Sequence, residues 1–186
     1  MSSAKYYVAL LRGINVGAAG KGRKAVPMAR LRELVVAQGG RDVTTYIQSG
    51  NVLFTAAGAS AEVEAKLEAA IRDAFGFEVP VIVRPHKELA RIAKACPFTT
   101  EADERPTLVH VGFSKAKISA AMAAATAPYC TCGERVVVRG QAIWADYNQG
   151  VARSKLTPAV LDRCFGASVT LRNVKTLAAL VEGGAG

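Results

Sequence analysis

Apolar and polar positions along the chain recur with two periods, one typical of strands and one typical of helices. Lys5 to Arg12 alternates loosely and is rich in β-forming residues, so it is predicted to be a strand. Residues 13–25 hold four glycines and are predicted to form a loop. A helix is predicted from Pro27 to about Gln38, because proline suits the first helical position and Gly39-Gly40 closes the segment.

The next four segments complete the order β-α-β-β-α-β. Two predicted strands, residues 44–48 and 51–55, flank Ser49-Gly50, which indicates a two-residue hairpin turn with glycine at a positive φ. A helix follows, because apolar residues recur at every fourth position from Val63 to Phe75. Residues 79–83 are predicted to be a short buried strand.

The same order repeats after a connecting helix that begins at Pro85 and a loop that runs to Pro106. The predicted elements of the second half are strands at 107–111, 135–139, 142–147 and 168–171, and helices at 114–127, 158–165 and about 173–181. The strands at 135–139 and 142–147 flank Gly140-Gln141 as a second hairpin. One βαββαβ unit is the ferredoxin-like split motif, whose helices cover one face of an antiparallel sheet of spatial order 4-1-3-2.

The predicted fold class is therefore α+β, with two tandem ferredoxin-like βαββαβ units and antiparallel sheets covered by helices. We expect the first unit over residues 1–84, a linker helix and loop over residues 85–105, and a second unit with a C-terminal helix over residues 106–186.

Within such a unit the end of the first strand, the start of the first helix and the hairpin share one rim. In the first unit the candidate ligand-binding residues on this rim are Arg12, Asn15, Gln48 and Asn51. Glycines free the backbone to present N–H groups, and a helix N-terminus adds partial positive charge. The basic loop residues are Lys21, Arg23 and Lys24. This arrangement predicts an anion site; the alternative is a solvated loop beside a well-formed hairpin.

The opposite rim of the second unit gathers a second set of polar residues. Its candidate residues are Arg153, Ser154, Lys155, Arg172 and Asn173. The two arginines could hold a carboxylate or phosphate in a bidentate manner. The structural alternative is that Asp146 pairs with one of these arginines.

Charge favours an acidic partner. The net charge is +9, and residues 1–32 carry seven basic residues and no acid. An apolar fraction of 51% is ordinary for a globular protein, and no apolar stretch approaches the roughly 20 residues that span a bilayer. We expect a cytoplasmic protein without a membrane partner. The four cysteines are expected to be thiols, and Cys130-Thr131-Cys132 alone is a poor zinc signal, so neither a metal nor a cofactor is expected.

No constellation of residues identifies a reaction. The chain holds two histidines and lacks nucleotide-binding and nucleophile-elbow motifs, so an enzymatic role stays open. Few aromatic residues fall on the strands that stack RNA bases, so only charge-led binding of nucleic acid remains. The leading hypothesis is a cytosolic protein that binds a small, phosphate-bearing anion at the rim. The alternatives are an enzyme of unknown reaction at the same rim, or a protein-interaction or nucleic-acid-binding module.

Several segments resemble a bacterial family known as domain of unknown function 1697. The segments that carry the resemblance are residues 10–17, 26–28, 46–51, 153–157 and 170–173. The resemblance covers nearly the whole chain and implies a two-part α+β fold, without an activity to carry over. The chain departs from the family pattern at Val174-Lys175-Thr176, where the family usually continues Trp-Asn-Thr after Arg-Asn. Its loop at residues 18–25 is also longer and more basic than usual.

Overall fold

The computed structural model of the chain describes residues 4–16 and 24–183, and these fall into two compact units. The first unit takes the chain up to Leu89 and again from Ala179, and the second is Ala90–Ala178. Each unit holds one four-stranded antiparallel sheet with helices, which confirms the predicted α+β fold. The domain boundaries predicted after residues 84 and 105 stay predictions.

The first unit has the predicted βαββαβ order. Its elements are β1 (Lys5–Leu11), α1 (Met28–Ala37), β2 (Arg41–Tyr46), β3 (Asn51–Ala56), α2 (Ser60–Phe75) and β4 (Val81–Pro85), followed by α3 (His86–Lys94). The strands lie in the order β2-β3-β1-β4, which is the predicted 4-1-3-2 order read from the other edge. Each neighbouring pair is antiparallel.

Alternate residues of β1 build the core of the first unit. Tyr7, Ala9 and Leu11 are buried in one apolar cluster with residues of α1 and α2. At the edge strand β4, carboxylates from α2 satisfy N–H groups that have no neighbouring strand. Glu64 accepts from the N–H of Val83, and Glu68 accepts from the N–H of Val81, both at 2.8 Å.

The second unit repeats the topology. Its elements are α4 (Thr99–Glu104), β5 (Val109–Ser114), α5 (Ala120–Ala124), β6 (Arg135–Arg139), β7 (Ala142–Asp146), α6 (Pro158–Phe165) and β8 (Val169–Asn173). The last helix, α7 (Val174–Val181), begins in the second unit, and its residues from Ala179 belong to the first. The strand order is β6-β7-β5-β8, again 4-1-3-2 from the other edge. The predicted two-residue hairpin is confirmed, since Arg139 pairs with Ala142 across Gly140-Gln141.

The predicted turn of the first hairpin is wrong. Tyr46 pairs with Asn51, so the loop contains four residues, 47–50, instead of Ser49-Gly50 alone. Two of these residues, Ile47 (φ 50°) and Gly50 (φ 78°), adopt left-handed conformations. Ile47 is a β-forming residue, so the sequence pattern does not indicate that the strand ends at Tyr46.

Two helix predictions in the second unit also need correction. The alanine-rich helix predicted over 114–127 is only Ala120–Ala124, followed by a short 3-10 turn. The Ser119 hydroxyl accepts a hydrogen bond from the Met122 N–H and so starts the helix six residues late, while Pro128 prevents its continuation. The region predicted as a loop before Pro106 contains α4.

Candidate functional site

Asn15 fastens the loop after β1 to the hairpin between β2 and β3. Its Nδ2 donates to the carbonyl oxygens of Val26 (2.9 Å) and Gln48 (2.8 Å), and its Oδ1 accepts from the Val26 N–H (2.8 Å). Its own N–H donates to the Lys24 carbonyl at 3.0 Å. The residue also has a left-handed φ of 52°. Asn15 therefore stabilises the conformation of this loop, because its side-chain amide is hydrogen-bonded to backbone groups.

Asn51 has a similar structural task inside the hairpin. It is fully buried, and its Nδ2 donates to the Tyr46 carbonyl and to Ser49 Oγ, both at 3.0 Å. Gly50 packs directly beneath, since an added Cβ would lie 2.6 Å from Ile14 Cδ1. The four-residue loop is thus closed from within by Asn51, and the side chain of Asn51 is not on the surface.

The surface of this region is defined here as the hairpin rim, which consists of Arg12, Asn15, Val16, Ile47 and Gln48. Arg12 is half-buried, and its N–H donates to the Pro80 carbonyl at 3.0 Å. Gln48 is exposed, as are Val16 (61%) and Ile47 (50%). Of the predicted candidates, Asn15 and Gln48 are joined by a hydrogen bond, and Asn51 is buried inside the hairpin. That Arg12 acts together with them stays a prediction.

The basic loop beside the rim is described only in part. Lys21 and Arg23 lie outside the described residues. Lys24 donates from Nζ to the Glu78 carbonyl at 2.6 Å. The charge that the structure describes on the rim itself is therefore that of Arg12.

At the second predicted rim, Ser154 is bonded to Glu134. Its hydroxyl donates to Glu134 Oε1, while its Oγ accepts from the Leu156 N–H at 3.0 Å. The other Glu134 oxygen accepts from the Cys132 N–H at 2.7 Å. Burial alone would raise the pKa of Glu134, but these hydrogen bonds outweigh it and lower the pKa below 4.5.

The remaining residues of that rim have different surroundings. Arg153 and Lys155 are exposed, whereas Arg172 is 8% exposed and donates to Thr170 Oγ1 (2.9 Å) and the Leu171 carbonyl (2.8 Å). Burial lowers the pKa of Arg172 to about 10, so the group is still charged near neutral pH. Asn173 Oδ1 accepts from the Thr176 N–H at 2.8 Å at the start of α7.

The interpretation that Asp146 pairs with Arg153 or Arg172 is wrong. Asp146 Oδ2 accepts instead from Arg105 (2.9 Å) and Arg135 (2.8 Å). Both partners lie outside the second predicted rim, at the end of α4 and the start of β6. Register explains the second pairing, since Arg135 lies opposite Asp146 on neighbouring strands.

A cavity of about 510 Å³ in the first unit was not predicted from the sequence. Its lining residues are Lys5, Tyr6, Pro85, His86 and Lys87. The Tyr6 and His86 rings lie 4.6 Å apart between centroids, at 40°. The signal in the sequence was the pair Tyr6-Tyr7, because alternation on a strand buries one ring and turns the other outward.

Among the described residues, the cysteines and the possible metal ligands do not form a further candidate site. In the described residues all four cysteines are unpaired, and no three or more of His, Cys, Asp and Glu come together to hold a metal ion. Burial raises the pKa of Cys130, so this thiol is poorly nucleophilic. Over residues 4–16 and 24–183, no helix has the length and apolarity needed to cross a membrane.

The two four-stranded antiparallel sheets and their helices define a tandem ferredoxin-like α+β protein. The chain belongs to the family described as "Protein of unknown function (DUF1697)", whose model matches residues 4–144, and this confirms the resemblance. A similar solved structure is the conserved bacterial protein SP0830 from Streptococcus pneumoniae, at 21% identity and a TM-score of 0.72. The match covers 98% of this chain and 100% of that one, and it shows the fold alone. No curated protein matches the chain.

Proposed function

We propose that the protein binds a small anionic ligand, one that carries a phosphate or a similar group, at the hairpin rim of the first unit. The observation that carries this proposal is strained backbone. Among the described residues, three other than glycine have a left-handed φ, and two of them, Asn15 and Ile47, are on the rim. A β-branched residue in that region costs about 1–3 kcal/mol, and such strain clusters at binding sites.

Charge on the rim supports an anion. Arg12 supplies a guanidinium at the end of β1, and α1 begins nearby without a side-chain cap or an acid in its first turn. The N–H groups of such a helix end favour an anion by about 0.3–1 kcal/mol. Because that contribution is small, binding requires Arg12 and a hydrogen bond from Gln48 as well.

Exposed apolar residues indicate that the ligand has more than a phosphate. The Asn15 side chain donates a hydrogen bond to the Gln48 carbonyl. The exposed residues Val16 and Ile47 are the sequence neighbours of these two residues. A sugar or a ring attached to the phosphate would cover them. The protein would act in the cytoplasm, which accords with its unpaired thiols.

The test is a melting-temperature screen against inorganic phosphate, sugar phosphates and mononucleotides, followed by calorimetric titration of the strongest hit. Arg12→Gln should raise the Kd at least about tenfold, as expected for a lost charge-assisted hydrogen bond, and Gln48→Ala should raise it less. The matched control is Arg30→Gln, because Arg30 is exposed on α1 and paired with Glu33. Binding of phosphate or a sugar phosphate that survives Arg12→Gln, or a screen without any hit among these ligands, contradicts the proposal.

Salt dependence separates this site from general attraction to nucleic acid. A polyanion bound by the basic loop would lose affinity with salt at a log–log slope of about −0.9 per phosphate engaged. A ligand held at short range on the rim should show a shallow slope. Replacing Lys21, Arg23 and Lys24 with alanine should spare the small ligand. Tight nucleic-acid binding at about 150 mM salt that this triple variant abolishes would overturn the proposal. Turnover of the bound ligand would identify an enzyme.

A further inference from the structure

The cavity between the start of β1 and the end of β4 is separate from the hairpin rim. β1 ends at the rim, whereas the cavity is lined by residues from its first two positions, Lys5 and Tyr6. Pro85, His86 and Lys87 complete the lining, and strand register brings them there, since Tyr7 pairs with Pro85. At about 510 Å³ the cavity falls within the range of small-molecule sites.

An aromatic pair forms one wall of this cavity. The Tyr6 side chain is 39% exposed, although tyrosine in a packed sheet is usually covered. Its ring leans on that of His86. His86 Nε2 lies 2.9 Å from the Leu180 carbonyl oxygen, and a carbonyl can only accept, so Nε2 carries the hydrogen. This bond fixes the imidazole, and the imidazole in turn supports the tyrosine ring.

The charged groups of the lining have one sign. Lys5 and Lys87 are exposed, and the five lining residues include no carboxylate. Two ammonium groups near an open ring suit a ligand with a flat apolar part and a negative part. Tyr6 adds a neutral hydroxyl donor, because burial raises the pKa of Tyr6 above 10.0.

We infer that this cavity binds a planar aromatic anion of the nucleoside monophosphate class, with its ring stacked on Tyr6 and its phosphate between Lys5 and Lys87. Stacking on an aromatic side chain tolerates any base, so the site distinguishes nucleotides from sugar phosphates better than one nucleotide from another. The lysines act as point charges and impose no bidentate geometry on the phosphate, so they too should accept nucleotides with any base.

Calorimetric titration of the full chain with AMP, adenosine and inorganic phosphate tests this inference. AMP should bind at least about tenfold more tightly than either fragment, because only AMP engages both ring and lysines. Tyr6→Leu should raise the Kd for AMP about tenfold, and Lys5→Ala and Lys87→Ala roughly three- to tenfold each. Lys66→Ala, which changes a lysine of a different cavity, is the matched control.

Loss of AMP affinity in Tyr6→Leu and Lys87→Ala but not in Lys66→Ala supports the inference. The lysine variants keep the test valid if Tyr6→Leu unfolds. No binding of AMP, equal binding of AMP and phosphate, or binding indifferent to Tyr6 and both lysines overturns it. Arg12→Gln should leave this Kd within about twofold, so the cavity and the rim can fail separately.

Discussion

Asn15 and Ile47 adopt the same left-handed backbone for different physical reasons. Asparagine tolerates this region, and at Asn15 its amide replaces three backbone hydrogen-bond partners that the loop would otherwise lack. Ile47 has a branched Cβ that opposes the conformation, and its half-exposed side chain gains little from burial. The strain at Ile47 is therefore imposed by the loop around it, which Asn51 closes from inside.

Ile47→Asn should stabilise the protein. Asparagine keeps the left-handed backbone at lower cost, so the free energy of unfolding should rise by about 0.5–1 kcal/mol. The measurement is a urea midpoint with an unchanged slope. Val16→Asn is the control, because Val16 is also exposed but is not among the residues with a positive φ. A lower midpoint for Ile47→Asn would mean that the isoleucine side chain makes contacts that matter more than the strain.

The candidate residues could be predicted from the sequence, but their roles could not. The motif around Arg12 and the hairpin placed Asn15 and Gln48 on a common rim, and they are bonded to each other there. Whether an asparagine faces a ligand or a carbonyl depends on backbone atoms far along the chain, in this case those of Val26. No local pattern in the sequence carries that information.

The two hairpins contrast in how they use glycine. Gly50 and Gly140 both have a positive φ, at 78° and 59°. A Cβ on Gly50 would collide with Leu11 and Ile14, at 2.7 and 2.6 Å, whereas a Cβ on Gly140 would meet nothing within 4 Å. The first glycine is therefore needed for conformation and for packing, and the second for conformation alone.

Gly50→Ala should consequently destabilise the protein more than Gly140→Ala. The φ term should cost about 1–2 kcal/mol in both variants. Overpacking should add about 1–3 kcal/mol in Gly50→Ala, because β1 and the loop after it must shift. Chemical denaturation of the two variants side by side gives the difference directly. An equal decrease in the free energy of unfolding in both variants would show that the loop around Gly50 adjusts to the extra methyl group at little cost. That result would also weaken the case for a rigid anion site.

Elements with several agreeing signals were predicted well, and those that depend on one signal were not. α6 had a cap and a proline, and the Thr157 hydroxyl does accept from the Val160 N–H at 3.3 Å. The helix predicted over 114–127 rested on alanine content alone, and helix propensity did not outweigh the late cap at Ser119. The Tyr6–His86 cavity was missed because it depends on pairing between β1 and β4.

The two units share one topology but differ in the polar groups that they carry. The first unit carries the hairpin rim and the lysine-lined cavity, for both of which we propose an anionic ligand. The second unit holds two buried carboxylates in hydrogen-bonded groups, Asp146 with two arginines and Glu134 with Ser154. It also contains His110, whose pKa is lowered by burial and whose ring meets Tyr147 edge-on at 5.1 Å.

These groups predict two steps in the acid stability of the second unit. Burial lowers the pKa of His110 in the folded protein below 6.5, its ordinary value. As the pH falls below 6.5, the unfolded chain therefore binds a proton before the folded protein does. The free energy of unfolding decreases until the pH reaches the folded pKa. The folded pKa of Glu134 lies below 4.5, so its contribution is complete above that pH and is lost as the pH falls through the folded pKa. Stability should thus fall below about 6.5 and fall again below about 4.5.

Hydrogen exchange of the second unit's slowest amides, followed from neutral pH to about pH 3.5 with the intrinsic pH dependence of exchange removed, measures both steps. His110→Gln should flatten the first step, because glutamine is not protonated in this range, and Glu134→Gln should flatten the second. His86→Gln is the matched control for the first step, since His86 belongs to the other unit. If His110→Gln leaves the loss below pH 6.5 unchanged while His86→Gln removes it, the buried histidine of the second unit is not the group that weakens the fold in mild acid.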